Sequence, residues 1–284
     1  MGYQTIDVKP LSGALGAEIS GVDLAKDLSN QAFDEIHQAF LDHQAIFIRD
    51  QNLAPADQSR FGRMFGKLAD YPFMQGLDEE PEIFEILKTE TETRNFGSAW
   101  HSDMSYTARP PLATMLYARE VPDTGGDTLY ASAYHAYEAL SDGMKAMLDG
   151  LIGVNCADPP SDPGRRARTF KKHGAMASTN VDHAIDYRAE HPVVRTHPET
   201  GRKALYINKV HTYYFKDMTE AESKPLIDYL ANHITRPEFT SRFRWSVGAV
   251  AVWDNRCAQH YAVNDYQGRR RRMHRLTIAG DRPV

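Results

Sequence analysis

Ala249–Tyr266, AVAVWDNRCAQHYAVNDY, begins as an apolar, β-prone run and carries His260 just beyond it. From Pro111 onward similar runs dominate: LATMLYARE, DTLYAS, PVVRTH, KALYIN and RFRWSV. Turn residues separate many of them, as in Thr124-Gly125-Gly126-Asp127 and Pro198-Glu199-Thr200-Gly201. Helical patterns interrupt this series twice: once over Ser132 to Leu151, and again from Thr219, where Glu222 completes a capping-box spacing ahead of Leu226, Ile227 and Leu230. Many short strands with helices at the margins predict a mainly β fold with helical decoration, a β-sandwich or jelly roll.

The first hundred residues add a strand at Tyr3–Val8 and a helix after Ser29 with Phe33, Ile36, Phe40 and Leu41 on one stripe. A short buried strand follows at Ala45–Ile48, and a further helix starts near Pro55 with Phe61 and Phe65 one turn apart. No repeat or linker divides the 284 residues, so residues 1–284 are expected to form a single domain. Asp158 to His191 departs from the rest, with little apolar periodicity and many Pro, Gly and basic residues. Part of it reads as a mobile, lid-like insertion over a site, or equally as ordinary surface disorder.

A formal net charge of -5 argues against a dedicated nucleic-acid binder. No apolar run is long enough to span a bilayer, and MGYQTIDVKP lacks a signal peptide's layout, so no membrane partner is expected. Cys156 and Cys257 are the only cysteines, which fits a reducing cytoplasm and leaves metal binding to His, Asp and Glu.

Fe(II) that activates dioxygen is held by two histidines and one carboxylate on one face, with the other face open. A His-x-Asp/Glu spacing suits that need, because residues two apart on a strand project to the same side. Two matches occur, His101-Ser102-Asp103 and His197-Pro198-Glu199. The second sits in a hairpin-turn sequence, HPETGRK, with Glu199 at the tip, and a turn explains it better than a metal does. The first lies in WHSDMSY; alone it is explained as well by a strand surface, and His260 alone by a strand end. Further on, GRRRRMHRLTIAGDRP places Arg271 and Arg275 four residues apart, entering an apolar run. A guanidinium there suits bidentate recognition of a carboxylate, whereas two of the four consecutive arginines read as a solvated turn.

With these residues in order, the chain resembles the taurine dioxygenase / 2,4-dichlorophenoxyacetate dioxygenase family of Fe(II)- and 2-oxoglutarate-dependent oxygenases. The likeness runs nearly end to end through GALGAEISGVDL, WHSD, TGGDTLYAS, LYIN, VWDNRCAQHYAVNDY and RRMHRLTIAGDRP. It implies a double-stranded β-helix (cupin-like jelly roll), with His101, Asp103 and His260 as iron ligands. It implies that Arg271, assisted by Thr128, pairs with the distal carboxylate of the co-substrate 2-oxoglutarate, and that O2 is consumed. Thr128 also reads as a β-former after a Gly-Gly turn, and Arg275 as a surface ion pair. The resemblance places Arg275 near a small anionic substrate: a sulfonate, sulfate ester, phosphonate, or aryloxy or other carboxylic acid. It departs from the taurine enzymes at Tyr71, near Asn95 and Gly97, and at His211, which sets taurine itself apart from the expected substrate. Tyr71, Tyr106, His211 and Asn95 are the candidate substrate-pocket residues. A homo-oligomer, dimer or tetramer, follows by the same analogy. A non-oxidative jelly-roll metal enzyme would not need Arg271, and a silent 2-oxoglutarate or anion sensor would be expected to lack a ligand.

Overall fold

Strand formation in the quoted stretch follows from its continuous run of β-prone apolar residues. Val250 and Val252 face one way and Ala251 and Trp253 the other, and all are buried, so this strand lies inside a sheet covered on both faces. The computed structural model describes residues 2–158, 162–165, 168, 176 and 187–284. In chain order the strands are β1 (Asp7–Pro10), β2 (Ala17–Ser20), β3 (Ala45–Ile48), β4 (Leu68–Ala69), β5 (Phe84–Lys88), β6 (Ala113–Glu120), β7 (Thr128–Ser132) and β8 (Ile152–Cys156). They continue as β9 (Arg188–Pro192), β10 (Val194–Thr196), β11 (Lys203–Leu205), β12 (Thr212–Phe215), β13 (Thr240–Phe243), β14 (Val250–Asp254), β15 (Ala258–Ala262) and β16 (Arg271–Ile278). The helices are α1 (Asn30–His43), α2 (Pro55–Phe65), α3 (Ala133–Glu138), α4 (Asp142–Leu148) and α5 (Glu220–Ile234).

The main sheet runs β1-β2-β3-β14-β6-β16-β4, with β5 also pairing β16. A smaller sheet, β13-β7-β15, faces it. Rings from the two interlock: Phe47 stacks on Phe243 at 4.0 Å between centroids, and Tyr130 lies 5.8 Å from Trp253. The outer face of the main sheet is covered by Ile36 and Phe40 of α1 and Phe61 of α2, packed with Ile46, Val250, Val252, Leu276 and Ile278. On the far side Ile227, Leu230 and Ile234 of α5 pack with Ala131, Ala136 and Phe215. This is the expected jelly roll with helices outside it.

Several boundaries differ from the sequence expectation. The opening strand is Asp7–Pro10 rather than Tyr3–Val8, because it is set by pairing with Ala17–Ser20. The single helical stretch from Ser132 to Leu151 is two helices, since Ser141 caps a new one by accepting a hydrogen bond from the Met144 amide. Of the lid-like insertion at 158–191, residues 159–161, 166–167, 169–175 and 177–186 lie outside the described residues. Its last residues, from Arg188, belong to β9, paired with β8.

Candidate metal centre

His260 reaches the site because β15 pairs with β7 and then borrows one more partner. His101 and His260 form an isolated antiparallel bridge, exchanging N–H···O bonds of 3.2 and 2.9 Å. That bridge stands the two imidazoles side by side, 4.2 Å between centroids. Ser102 turns aside to donate to the Ala258 carbonyl, and Asp103 turns back toward the rings. Met104, in the left-handed region at φ 48, then swings the chain away.

Asp103 divides its two oxygens. Oδ2 accepts a 2.7 Å hydrogen bond from the Thr114 hydroxyl, which in turn accepts one from Asn255 Nδ2 at 3.0 Å. Asn255 is fixed by Trp253 Nε1, which donates to its Oδ1 at 3.1 Å. Oδ1 is left facing His101 Nε2 at 3.6 Å and His260 Nε2 at 3.9 Å. His101 donates from Nδ1 to the Ala99 carbonyl at 2.7 Å, so its Nε2 presents a lone pair to the cluster. One donor atom from each of the three residues lies within 4.8 Å of the others.

Electrostatics favour the ligand forms. Burial pushes the Asp103 carboxyl up, but Arg275, His260 and His101 outweigh it and hold the group well below the usual carboxylate range. Burial drives His260 well below the ordinary imidazole value, reinforced by His101. Two imidazoles and one carboxylate, all buried, match the donor set of a facial Fe(II) site. The residues fit the metal.

The inner face of β16 supplies two cations. Residues alternate along it, so Arg271, Met273, Arg275 and Thr277 point inward while Leu276 and Ile278 meet the helices. Arg271 is 5 % exposed, lies 5.6 Å from the Trp245 ring, and has no hydrogen-bond partner at Nε or Nη2 among the described residues. Thr128 accepts from Trp245 Nε1 at 2.9 Å, which places it on the opposite sheet beside the same ring. A buried, unsatisfied guanidinium is costly unless an anion joins it, and the distal carboxylate of 2-oxoglutarate has the right chemistry. Arg275 is 3 % exposed, so the surface-ion-pair reading of it is wrong. Its Nη2 sits 2.7 Å from Asp103 Oδ1 without hydrogen-bond alignment, and its guanidinium lies over Tyr71 (5.4 Å) and Phe84 (5.6 Å). By contrast, Arg270 and Arg272 both pair with Glu120 on the outside.

In front of the ligands lies a cavity of about 310 Å³. Its wall includes Tyr71, Phe73, Phe96, Met104, Tyr106 and Val210 together with His101, Asp103 and His211. Thr128, Arg271 and Arg275 are not among its lining residues. His211 packs edge-on against Tyr106 at 4.9 Å, and burial keeps its imidazole neutral, far below the ordinary value. Asn95 borders the cavity but uses its Nδ2 on the Ala262 and Val263 carbonyls, at 3.1 and 3.2 Å, which ties the loop before His101 to the end of β15.

Sequence reasoning missed Thr114 and Asn255. Their signal is a polar residue at an inward position of an apolar strand, or at its end, where an unpaired hydroxyl or amide would be costly. The second His-x-Glu match is a hairpin turn, as expected: Thr196 and Lys203 pair across it. His197 and Asp254 there come close to Cys257. However, Asp254 is held by Arg256 and by His197 Nε2 at 3.0 Å, while His197 Nδ1 accepts from the Glu199 and Thr200 amides. Every nitrogen of that histidine has a structural partner.

Residues 7–277 match the family model described as taurine catabolism dioxygenase TauD, TfdA family. An alkylsulfatase of Acinetobacter baylyi is 34% identical over 282 residues, covering 98% of this chain and 86% of the relative. An alpha-ketoglutarate-dependent sulfate ester dioxygenase of Pseudomonas putida is 33% identical over 287 residues, covering 98% and 91%. Among solved structures, a taurine dioxygenase from Burkholderia xenovorans superposes with a TM-score of 0.83 at 34% identity, covering 99% of this chain and 91% of that one.

Proposed function

We propose, since this chain belongs to the taurine catabolism dioxygenase TauD, TfdA family, that His101, Asp103 and His260 hold its iron and that Arg271 with Thr128 anchors its 2-oxoglutarate. The protein is an Fe(II)- and 2-oxoglutarate-dependent dioxygenase, an oxidoreductase that uses O2. The observation that carries the site assignment is the backbone bridge that sets both imidazoles against one carboxylate oxygen.

Bound iron with 2-oxoglutarate supplies an oxidant that hydroxylates a C–H bond, with succinate and CO2 as co-products. The chain's own residues provide placement and dryness. The Ala99 carbonyl holds the His101 tautomer, and Thr114 keeps one Asp103 oxygen off the metal side. Tyr71, Phe73 and Tyr106 form an apolar wall that excludes water from the reacting carbon. Arg275 supplies the charge that orients an anionic head group, with His211 as a neutral hydrogen-bonding side of the pocket.

The substrate is a small organic anion, and a sulfate ester with an apolar chain is the member of that class favoured here. Two relatives are named for sulfate esters, and the Phe73, Phe96, Met104 and Val210 side of the cavity suits an alkyl tail better than taurine's ammonium. Hydroxylation at the carbon bearing the ester oxygen gives a hemiacetal sulfate, which collapses to an aldehyde and sulfate. The test is a panel of alkyl sulfates, sulfonates, phosphonates and aryloxy acids, with succinate, aldehyde and anion release measured. Equimolar succinate and sulfate from a medium-chain alkyl sulfate, above the taurine rate, is expected; turnover of taurine alone contradicts the assignment. We also propose one functional domain and a homo-oligomeric, cytoplasmic enzyme, in keeping with two buried free thiols. Sedimentation checks the oligomer. Among the described residues no helix is long and apolar enough to cross a membrane.

A further inference from the structure

Opposite Arg271 stands a second buried cation, Lys88. β5 pairs antiparallel with β16 in a register that sets Lys88 against Arg271 and Phe84 against Arg275. Phe84, Ile86 and Lys88 are the buried positions of β5, so Lys88 shares the inner face with both arginines. Cross-strand neighbours have β-carbons about 5 Å apart, and like charges in such a pair repel.

Neither cation keeps all its donors paired among the described residues. Lys88 is 3 % exposed, and its Nζ has no hydrogen-bond partner among the described residues. It lies over the Tyr266 ring at 4.5 Å, a contact that offsets part of the desolvation cost without satisfying the three donors of an ammonium. The nearby acids have other contacts: Glu92 accepts from the Thr89 amide and hydroxyl, and Glu90 reaches Arg270. Burial lowers the Lys88 pKa, outweighing the attraction of Glu92 and Glu90. Two cations facing each other on one buried surface, each with donor atoms left unpaired among the described residues, favour an anion between them. A carboxylate offers about four acceptor sites, enough for a guanidinium and an ammonium together.

We propose that Lys88 is a second co-substrate-binding residue, donating to the distal carboxylate of 2-oxoglutarate from the strand opposite Arg271. This rests on the assignment of Arg271 as the anchor of that carboxylate. Lys88 adds charge on the β5 side, so selection for a five-carbon dicarboxylate comes from both strands.

The experiment is anaerobic calorimetry with Mn(II) as the metal, using 2-oxoglutarate and 2-oxopentanoate, which lacks only the distal carboxylate. Lys88→Met is expected to weaken 2-oxoglutarate binding about ten-fold and leave 2-oxopentanoate binding unchanged. Lys88→Arg should stay within about three-fold of the wild type, because it keeps the charge. If the methionine variant does not fold, Lys88→Gln carries the same comparison, with an expected loss of about three-fold or more. Wild-type affinity for 2-oxoglutarate in the neutral variant, or an equal loss for both ligands, overturns the role of Lys88. Failure of the wild type to prefer 2-oxoglutarate over 2-oxopentanoate, or an unchanged preference in Arg271→Met, overturns the underlying anchor instead.

Discussion

The Asp103 carboxylate shows how one side chain is prepared by its neighbours. Thr114 takes Oδ2, Asn255 fixes Thr114, and Trp253 fixes Asn255, so Oδ1 is aimed by a chain of three hydrogen bonds. Partners of this kind commonly change metal affinity 10–100-fold when removed. Thr114→Val keeps the shape and deletes the donor. It should weaken Mn(II) binding by about that factor while leaving the fold intact, as read by metal titration alongside circular dichroism. His101, Asp103, His260 and the two arginines were legible because each sits in a recognisable order along the chain. Thr114 and Lys88 were not, since a polar residue within a strand announces little until its register is known. Asn255 was quoted within a motif, but its role depends on a threonine far away in sequence.

Among the elements, the strands that are near-continuous apolar runs, β3, β6 and β14, were readable from pattern alone. β5 was overlooked because Phe84-Glu85-Ile86-Leu87-Lys88 is short and charged at two positions, and it gains its identity only by pairing with β16. β16 itself was half hidden: four arginines in a row look like a solvated turn, yet alternation sends Arg271 inward while Arg270 and Arg272 meet Glu120 outside. The turn before β14 is a tight point. Gly248 has φ +82, and a β-carbon there would come within 2.6 Å of the Gln51 carbonyl oxygen, on a segment bonded back to it. Gly248→Ala should therefore cost at least ~2 kcal/mol and lower the melting temperature by about 4–8 °C, measured by scanning calorimetry. Its 2-oxoglutarate affinity should be unchanged, because the turn lies on the main sheet rather than among the ligands.

At the scale of the whole molecule, buried histidines outside the metal site contribute to the loss of stability in acid. Burial pulls His191 down to about 4, with Arg195 adding to the effect against a hydrogen bond to the Thr107 carbonyl. Burial likewise takes His274 to about 4, helped by Arg119 and Arg272. Both pKa values are depressed in the folded state, so the unfolded chain binds protons first. Their stabilising contribution is complete above pH ~6.5 and is lost as pH falls toward 4, up to about 3 kcal/mol for each. In chelator-treated protein, His191→Gln should flatten the fall of melting temperature between pH 6.5 and 4; an unchanged slope would assign that fall to other groups.

The central claim is that His101, Asp103 and His260 form one Fe(II) site to which 2-oxoglutarate binds before O2. The direct measurement is an anaerobic absorption titration of wild type and Asp103→Ala with Fe(II) and 2-oxoglutarate, followed by succinate release on admitting O2 with an alkyl sulfate. The wild type should show the iron–oxoglutarate charge-transfer band and form succinate, and Asp103→Ala should lose turnover at least about 100-fold. Full activity in Asp103→Ala, or a wild type with neither band nor succinate, would contradict the account.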